Sequence, residues 1–564
     1  MKELAPERRR RLVFRGLPAL GGLAAAAFAA GAFAGSLAPS QAELVARDFS
    51  DAWERSDFAE MHGLLDRDAQ AAHPLAVFRR AYRRAAAVAT INSLVVGEPS
   101  GAGDGAAAVP VDLRTSTFGL LRRTLVVPVR DERVRWTPSM AFPGLPEGTA
   151  LARRVRAPER AALLARDGQV LAEGPADGRS SPLGALAASI AGTLEPEDSE
   201  TERAVLYRRG FSPDQPVGAS GLERAFENRL AGRPGGELVA GGRVIAASEP
   251  RKAAPVRTTI DPELQETAVS ALAGRLGGIA ALDPRTGEIR ALAGIAFSAP
   301  QPPGSTFKIV TATAALEARA VKPSTQFPVE TAALVDGVEL ENANGESCGG
   351  TFRSSFAHSC NSVFVPLGVK IGSDRIVNAA LRYGWNAPPS VDGEAPSTLP
   401  PANEIVTPVE IGSTAIGQGR VLATPLRMAS VAQTIASDGV RLEPSLAAGV
   451  PPETSRVTSR RVARVLRRLM VDVVDYGTGI AAAIEGVRVA GKTGTAELED
   501  TRGPNAVDDA LPSELNTNAW FTSFAPAARP RIAVAVMLVR GGAGGETAAP
   551  AARQVLEAAL APRR

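Results

Sequence analysis

Histidine, cysteine and lysine are all scarce in this chain of 564 residues. The three histidines, His62, His73 and His358, are too widely spaced to support a Ser-His-Asp triad or a zinc site, and we expect neither a metal ion nor a cofactor. No internal repeat of solenoid length is visible. Apolar residues make up 45% and charged residues 22%, which excludes a disordered chain and a polytopic membrane protein. The length predicts several domains.

An excess of positive charge is confined to the N-terminus. The net charge is +3, yet the first fifteen residues hold six basic side chains against two acidic ones, so the remainder is nearly neutral. A basic surface for nucleic acid is therefore not indicated, and we expect no nucleic-acid partner.

An uncharged stretch follows this basic segment. It covers the 27 residues from Gly16 to Ala42, more than the roughly 20 that span a bilayer. Basic residues before a single apolar stretch place the rest of the chain outside the cell. We therefore predict a cytoplasmic tail at 1–15 and one transmembrane anchor at 16–41, which leaves a single-pass membrane protein with its bulk extracytoplasmic. The Ala32-Phe33-Ala34 sequence leaves a cleaved signal peptide as the alternative.

Two of the six lysines lie in short motifs. Lysine is informative because a buried amine can titrate near neutrality, whereas arginine cannot act as a base. Lys308 follows Ser305 by three residues, after a helix-start signal and before an apolar run to Ala320 that predicts a helix. One helical turn would bring the Ser305 hydroxyl within reach of the Lys308 amine, as a nucleophile and its base require. Alone the S-x-x-K pattern is weak, since serine at a helix start is more often an N-cap.

Two further motifs follow in order. His358-Ser359-Cys360-Asn361 supplies an S-x-N pattern, and Gly491-Lys492-Thr493-Gly494-Thr495 follows, with Lys492 133 residues beyond Ser359. The three motifs together are those of serine enzymes that form acyl intermediates with penicillins or D-alanyl peptides. The chain therefore resembles the penicillin-binding protein family over residues 255–564. Cys360 replaces the aspartate of the S-D-N form of the motif.

The sequence around these motifs predicts an α+β transpeptidase domain. An apolar run from Val487 leads into Lys492, strands are expected at Asn518–Ser523 and Arg531–Val539, and a hairpin is expected over Ala281–Ala291. Helices fill the interval between the first and third motifs. We predict a five-stranded antiparallel sheet flanked by helices.

The resemblance implies five catalytic residues. Ser305 would attack the carbonyl of the penultimate D-alanine, and Lys308 would take its proton. Ser359 would relay the proton to the leaving amine. Asn361 would orient Lys308 and the substrate amide, and Lys492 would lower the pKa of Lys308.

The resemblance also implies how substrate is held. Lys492, Thr493 and Thr495 would bind the terminal carboxylate, and Gly494 would allow a ligand backbone to approach closely. The backbone N–H groups of Ser305 and Thr495 would form the oxyanion pair.

Cys348 and Cys360 are the only cysteines and lie 12 residues apart. In an oxidising compartment such a pair is a candidate disulfide, which would restrain the segment that carries Ser359 and Asn361. Two buried thiols are the alternative, because spacing does not show whether the Cβ atoms face each other.

Two upstream segments resemble known modules of this family. Residues 42–140 resemble the cone-like, nuclear transport factor 2-like domain of methicillin-resistance-type penicillin-binding proteins. Residues 145–250, with Gly221-Leu222-Glu223, resemble the pedestal, or dimerisation, domain of class B enzymes. Because no glycosyltransferase motif is present, a bifunctional class A enzyme is disfavoured.

The resemblance implies a class B peptidoglycan D,D-transpeptidase that cross-links stem peptides and is covalently inhibited by β-lactams. A glycosyltransferase of the division or elongation machinery is a candidate partner. A β-lactam-binding sensor or scaffold and a class D-like β-lactamase are the alternatives, and the deacylation rate would separate the second from a transpeptidase.

Overall fold

The computed structural model describes residues 39–184, 187, 190–498 and 516–562. Of these residues, no helix has both the length and the apolar character that crossing a membrane requires. The predicted cytoplasmic tail at 1–15 and nearly all of the predicted anchor at 16–41 lie outside the described residues, so both stay predictions.

The chain divides into two compact units, each made of three segments. Unit 1 contains residues 1–158, 197–214 and 233–251, and unit 2 contains 159–196, 215–232 and 252–564. The residues predicted to form a pedestal domain, 145–250, therefore contribute segments to both units.

Unit 1 packs helices against antiparallel strands. Its core includes Phe49, Trp53, Phe78 and Tyr82, all from helices. The helices are Gln41–Glu54, Phe58–Gly63, Arg67–Ala72, Leu75–Ala89 and Glu200–Arg208, with a 3-10 turn at Pro138–Ala141. One sheet has the order Ile91–Val96, Ala106–Thr115, Gly119–Arg130 and Arg133–Val134, with Ser100–Gly103 paired to its second strand. A second sheet has the order Arg243–Ser248, Gly235–Ala240 and Leu151–Arg156.

Unit 2 is built on a five-stranded sheet in which every neighbouring pair is antiparallel. The predicted five-stranded antiparallel sheet is thereby confirmed. The third motif lies on an edge strand of this sheet, Ala490–Glu497. In spatial order the strands are Ile289–Gly294, Gly277–Leu282, Ile532–Leu538, Thr517–Ala525 and Ala490–Glu497.

Helices cover both faces of this sheet because its inner strands are apolar on both faces. Side chains that alternate along a strand point to opposite faces. Ile279 and its partner Val536 pack with the helices Pro262–Leu272 and Ala548–Leu560, whereas Ala280 and Ala535 pack with Pro425–Ala436. The result is a buried central layer between two layers of helix.

Unit 2 has further helices, 3-10 turns and strands outside this sheet. The helices are Gly221–Ala225, Glu227–Leu230, Lys308–Glu317, Phe352–Ala357, Asn361–Ile371, Ser373–Arg382, Pro408–Ala415 and Arg460–Asp475. The 3-10 turns are Gly304–Phe307, Ala343–Gly345, Ala402–Glu404 and Ile480–Ala482. The outlying strands are Leu163–Leu164, Val170–Ala172, Leu194–Glu195, Val217–Gly218, Val256–Arg257, Gln326–Glu330, Ala332–Val335, Val338–Glu341, Cys348–Thr351, Val440–Leu442 and Thr454–Arg456.

A disulfide bond joins Cys348 to Cys360, whose Cα atoms lie 5.4 Å apart. It links the strand Cys348–Thr351 to the residue that precedes the helix Asn361–Ile371. Closing a loop of this length stabilises the fold by about 3 kcal/mol in the chain-entropy model. Ser359 lies within the closed loop, so the bond restrains the S-x-N segment.

Candidate active site

Ser305 lies in the 3-10 turn Gly304–Phe307, and Lys308 is the first residue of the α-helix Lys308–Glu317. The helix is therefore shorter than the run predicted from Ser305 to Ala320. At its end, Arg319 adopts a φ of 55°, in the left-handed region that stops a right-handed helix. The Lys308 side chain is completely buried, whereas that of Ser305 is only partly buried.

The S-x-N segment connects two helices. Phe352–Ala357 ends just before it, and Asn361 begins Asn361–Ile371. Between them Ser359 has a φ of 62°, a left-handed conformation that costs a residue with a side chain about 1 to 3 kcal/mol. In this conformation both the carbonyl oxygen and the hydroxyl of Ser359 accept hydrogen bonds from the Lys308 amine.

The edge strand Ala490–Glu497 passes very close to the 3-10 turn. A Cβ atom on Gly304 would lie 2.7 Å from the carbonyl oxygen of Thr495, and one on Gly494 would lie 2.8 Å from that of Pro303. A carbon atom does not fit at either distance. Glycine at both positions therefore allows the contact that brings the turn next to the motif on the strand.

Two lysine amines converge on one hydroxyl. The Lys308 Nζ donates to Ser359 O at 2.6 Å, to Asn361 Oδ1 at 2.6 Å and to Ser359 Oγ at 3.3 Å. The Lys492 Nζ donates to the same Ser359 Oγ at 2.8 Å and to Thr493 O at 3.1 Å. The Ser359 hydroxyl thus lies between the amines of two completely buried lysines.

Burial governs the protonation of both lysines. Loss of hydration lowers the pKa of Lys308 well below its ordinary value, and the nearby charge of Lys492 lowers it further. Burial alone lowers the pKa of Lys492 to about 7. The rings of Phe364 and Phe356 lie 5.3 and 5.8 Å from the amines of Lys308 and Lys492 and form part of this apolar environment. The Lys492 amine therefore loses its proton near neutral pH, and the Lys308 amine gives up its proton much more readily than an ordinary lysine.

Asn361 fixes the position of the Lys308 amine from the other side. Its Oδ1 accepts from Lys308, and its Nδ2 donates to the carbonyl oxygen of Glu341 at 2.7 Å. Because both ends of the amide are bonded, the side chain holds one orientation toward the cluster.

The structure brings Lys308, Ser359, Asn361 and Lys492 into one hydrogen-bonded cluster, with Ser305 in the adjoining turn. The expected contact between Lys308 and the Ser305 hydroxyl is not among the hydrogen bonds of the described residues, where Lys308 bonds Ser359 and Asn361 instead. The amine is engaged elsewhere, because Ser359 O and Asn361 Oδ1 both accept from it at 2.6 Å.

The third motif has a partner that the sequence did not reveal. The hydroxyl oxygens of Thr493 and Thr478 lie 2.5 Å apart, and Thr495 Oγ1 accepts from the N–H of Gly544 at 3.4 Å. The glycines on either side of Thr478, Gly477 and Gly479, were the available signal, since a threonine between two glycines indicates a tight backbone approach.

Two family models match the chain: the penicillin binding protein transpeptidase domain over residues 277–557 and the penicillin-binding protein dimerisation domain over residues 174–255. The peptidoglycan D,D-transpeptidase PbpA of Mycolicibacterium smegmatis is 34% identical over 422 residues, which cover 63% of this chain and 81% of that protein. PbpA of Mycobacterium tuberculosis is 33% identical over 376 residues, which cover 54% of this chain and 72% of that protein.

Comparison with solved structures also finds penicillin-binding proteins. The crystal structure of PBPA from Mycobacterium tuberculosis matches with a TM-score of 0.58 and 28% identity over 72% of this chain and 100% of that one. The structure of PBP2 from Pseudomonas aeruginosa matches with a TM-score of 0.61 and 26% identity over 73% of this chain and 97% of that one.

This chain belongs to the class B penicillin-binding protein transpeptidases. The prediction of that class, with its dimerisation domain, is confirmed. The likeness of residues 42–140 to a nuclear transport factor 2-like domain stays a prediction.

The two shifted lysines predict a bell-shaped pH profile for acylation by penicillin. Lys308 must be neutral to accept a proton, so the second-order rate constant should rise with pH as Lys308 loses its proton. Lys492 must be charged to bind a carboxylate, so the constant should fall above pH about 7. Stopped-flow measurement of acylation against pH tests both limbs.

A Lys492→Arg variant provides the matched control. Arginine keeps its charge over this range, so the alkaline fall should disappear even if the absolute rate is lower. An alkaline limb that is unchanged in this variant would show that Lys492 is not its source.

Proposed function

We propose that this chain is a serine-type peptidoglycan D,D-transpeptidase that cross-links stem peptides and is acylated by β-lactams. The observation that carries the proposal is the pair of buried lysines that share the Ser359 hydroxyl beside the turn that holds Ser305. The relatives support it. PbpA of Mycolicibacterium smegmatis is named a peptidoglycan D,D-transpeptidase, and penicillin-binding protein A of Mycobacterium tuberculosis forms a penicillin G acyl-enzyme.

In the first half-reaction, Ser305 Oγ attacks the carbonyl carbon of the penultimate D-alanine and forms a C–O bond. The hydroxyl proton passes to Lys308 Nζ, because the lowered pKa of Lys308 favours the neutral amine that can accept it. The C–N bond to the terminal D-alanine then breaks. Its amine leaves with a proton relayed through the Ser359 hydroxyl, which lies 3.3 Å from Lys308 Nζ.

In the second half-reaction, an amine of a neighbouring stem peptide attacks the ester carbonyl and gives up a proton to Lys308. The ester C–O bond breaks, and Ser305 regains a proton through the same relay. A β-lactam follows the first half-reaction alone: its ring C–N bond opens, but the leaving amine stays attached and keeps the acyl-enzyme blocked.

The edge strand holds the donor peptide. Lys492, with the hydroxyls of Thr493 and Thr495, binds the terminal carboxylate, and a peptide can pair with Ala490–Glu497 because this is an edge strand of the sheet. The backbone N–H groups of Ser305 and Thr495 stabilise the oxyanion. Each such donor contributes on the order of 100-fold to 1000-fold in rate.

Covalent labelling tests the nucleophile and its base. Intact-mass measurement should show one penicillin adduct, peptide mapping should place it on Ser305, and Ser305→Ala should give none. Lys308→Arg should slow acylation by about 100-fold or more, since it keeps the charge and removes the titratable amine. Lys322→Arg is the matched control, because Lys322 is exposed, and should acylate normally.

Full labelling of the Ser305→Ala variant would refute the assignment of the nucleophile. The same experiment, followed over hours, separates a transpeptidase from a β-lactamase. A persistent adduct is expected here, and loss of the adduct within seconds would favour hydrolysis of the β-lactam.

We also propose that the chain is attached to the membrane through residues 16–41, with the active site outside the cell. The basic segment that precedes an uncharged stretch of bilayer length supports this topology. Residues 42–140 are proposed to form a nuclear transport factor 2-like domain, which the succession of helices followed by an antiparallel sheet supports. A glycosyltransferase of the division or elongation machinery is the proposed partner.

Protease protection tests the topology. Protease added to intact cells whose wall has been removed should digest the chain and leave only a short membrane-embedded N-terminal fragment. A full-length band that survives while a known surface protein is digested would overturn the orientation. A mature N-terminus at Gly35 would instead establish a cleaved signal peptide.

A further inference from the structure

Thr478 lies outside all three motifs but contacts the segments that carry two of them. It follows the helix Arg460–Asp475, and its backbone N–H donates to the carbonyl oxygen of Ala357 at 3.1 Å. Ala357 ends the helix that leads into Ser359. A Cβ atom on Gly477 would lie 2.3 Å from the same carbonyl oxygen, so glycine there permits the approach.

The hydroxyl of Thr478 has two acceptors within reach but only one proton. The oxygen of Thr493 lies at 2.5 Å, and the carbonyl oxygen of Ala357 lies at 3.4 Å. Either hydroxyl can donate across the shorter contact, but once a carboxylate accepts the proton of Thr493, only Thr478 can be the donor and its longer contact with Ala357 is given up. If Thr478 donates to Thr493, the proton of Thr493 is not needed for this contact and can be donated to another acceptor.

This direction matters because the acceptor expected at Thr493 is a carboxylate, which offers oxygen lone pairs and no proton. Thr493 can bind a carboxylate only as a donor. Were Thr493 to donate to Thr478 instead, its oxygen would face the carboxylate and repel it. The orientation of one hydroxyl thus determines whether the other attracts or repels the ligand.

We propose that Thr478 is a positioning residue that orients the Thr493 hydroxyl toward the carboxylate of the donor peptide or of a β-lactam. The inference rests on the proposed function, in which Thr493 holds that carboxylate. The hydrogen bond from the Thr478 backbone N–H to Ala357 O also links this orientation to the segment that positions Ser359. Thr478 acts through Thr493 and does not itself touch the ligand.

Three single variants test the inference by the second-order rate constant for acylation with penicillin G. Thr478→Val keeps the shape and removes the hydroxyl, and should lower the constant about tenfold, the usual effect of one well-placed hydrogen bond. Thr478→Ser should restore the constant to within about twofold of the parent, because the hydroxyl returns. Thr434→Val is the control, since its buried hydroxyl donates to Ser430 O within a helix, and should leave the constant unchanged. Each variant must first show a cooperative melt.

A double-mutant cycle separates action through Thr493 from a general structural role. If Thr478 acts only by orienting Thr493, Thr478→Val should add less than about twofold once Thr493→Val is already present. If the fold-reductions in the rate constant of the two single variants multiply in the double variant, the inference is overturned. Failure of Thr478→Ser to restore the rate constant would also overturn it.

The cycle also distinguishes this inference from the proposed function. If Thr493→Val acylates as fast as the parent, the carboxylate-binding role of Thr493 in the proposed function fails. If Thr493→Val is slowed and Thr478→Val is not, the proposed function stands and the role of Thr478 is refuted.

Discussion

The site depends on the burial of two lysine amines around a single hydroxyl. Lys308 and Lys492 are both completely buried and both donate to Ser359 Oγ. Two charged amines so close together in a dry environment repel each other, and among the described residues neither amine donates a hydrogen bond to a carboxylate. Loss of hydration and the charge of Lys492 therefore both favour removal of the proton from Lys308, which is the direction in which its pKa is shifted. Lys308 must be neutral to act as a base, and Lys492 must be charged to bind a carboxylate. A neutral amine beside a charged one meets both requirements.

The rest of unit 2 holds this unfavourable pair in place. The turn that precedes the helix at Lys308 and the edge strand that carries Lys492 meet at Gly304 and Gly494, and neither glycine could accept a Cβ atom. The Cys348–Cys360 disulfide and the left-handed backbone of Ser359 fix the position of the S-x-N segment. The fold accepts the cost of a strained residue and two desolvated amines, and the surrounding three-layer core supplies the stability that offsets this cost.

Strand patterns predicted the sheet and the strand that carries Lys492, and the resemblance carried by the three motifs implied the four clustered residues. The sequence did not predict the 3-10 turn at Ser305 or the φ of Ser359, which depend on contacts with the distant strand at Thr495 and with Lys308. Thr478 was missed for the same reason, since its partner lies 15 residues away on another element. The division of residues 145–250 between two units was also not predictable, because Leu151–Arg156 pairs with Gly235–Ala240 far along the chain.

The most direct test of this account is the titration of the lysines themselves. The chain has only six lysines, so isotope labelling of lysine gives a simple side-chain NMR spectrum. Two resonances, assigned with Lys308→Arg and Lys492→Arg, should titrate far below the ordinary lysine pKa of about 10.4, and that of Lys492 at about 7. In a Lys492→Met variant the pKa of Lys308 should rise, because the neighbouring charge is gone. Ordinary pKa values for both lysines, or a Lys308 pKa that does not change in this variant, would contradict the account.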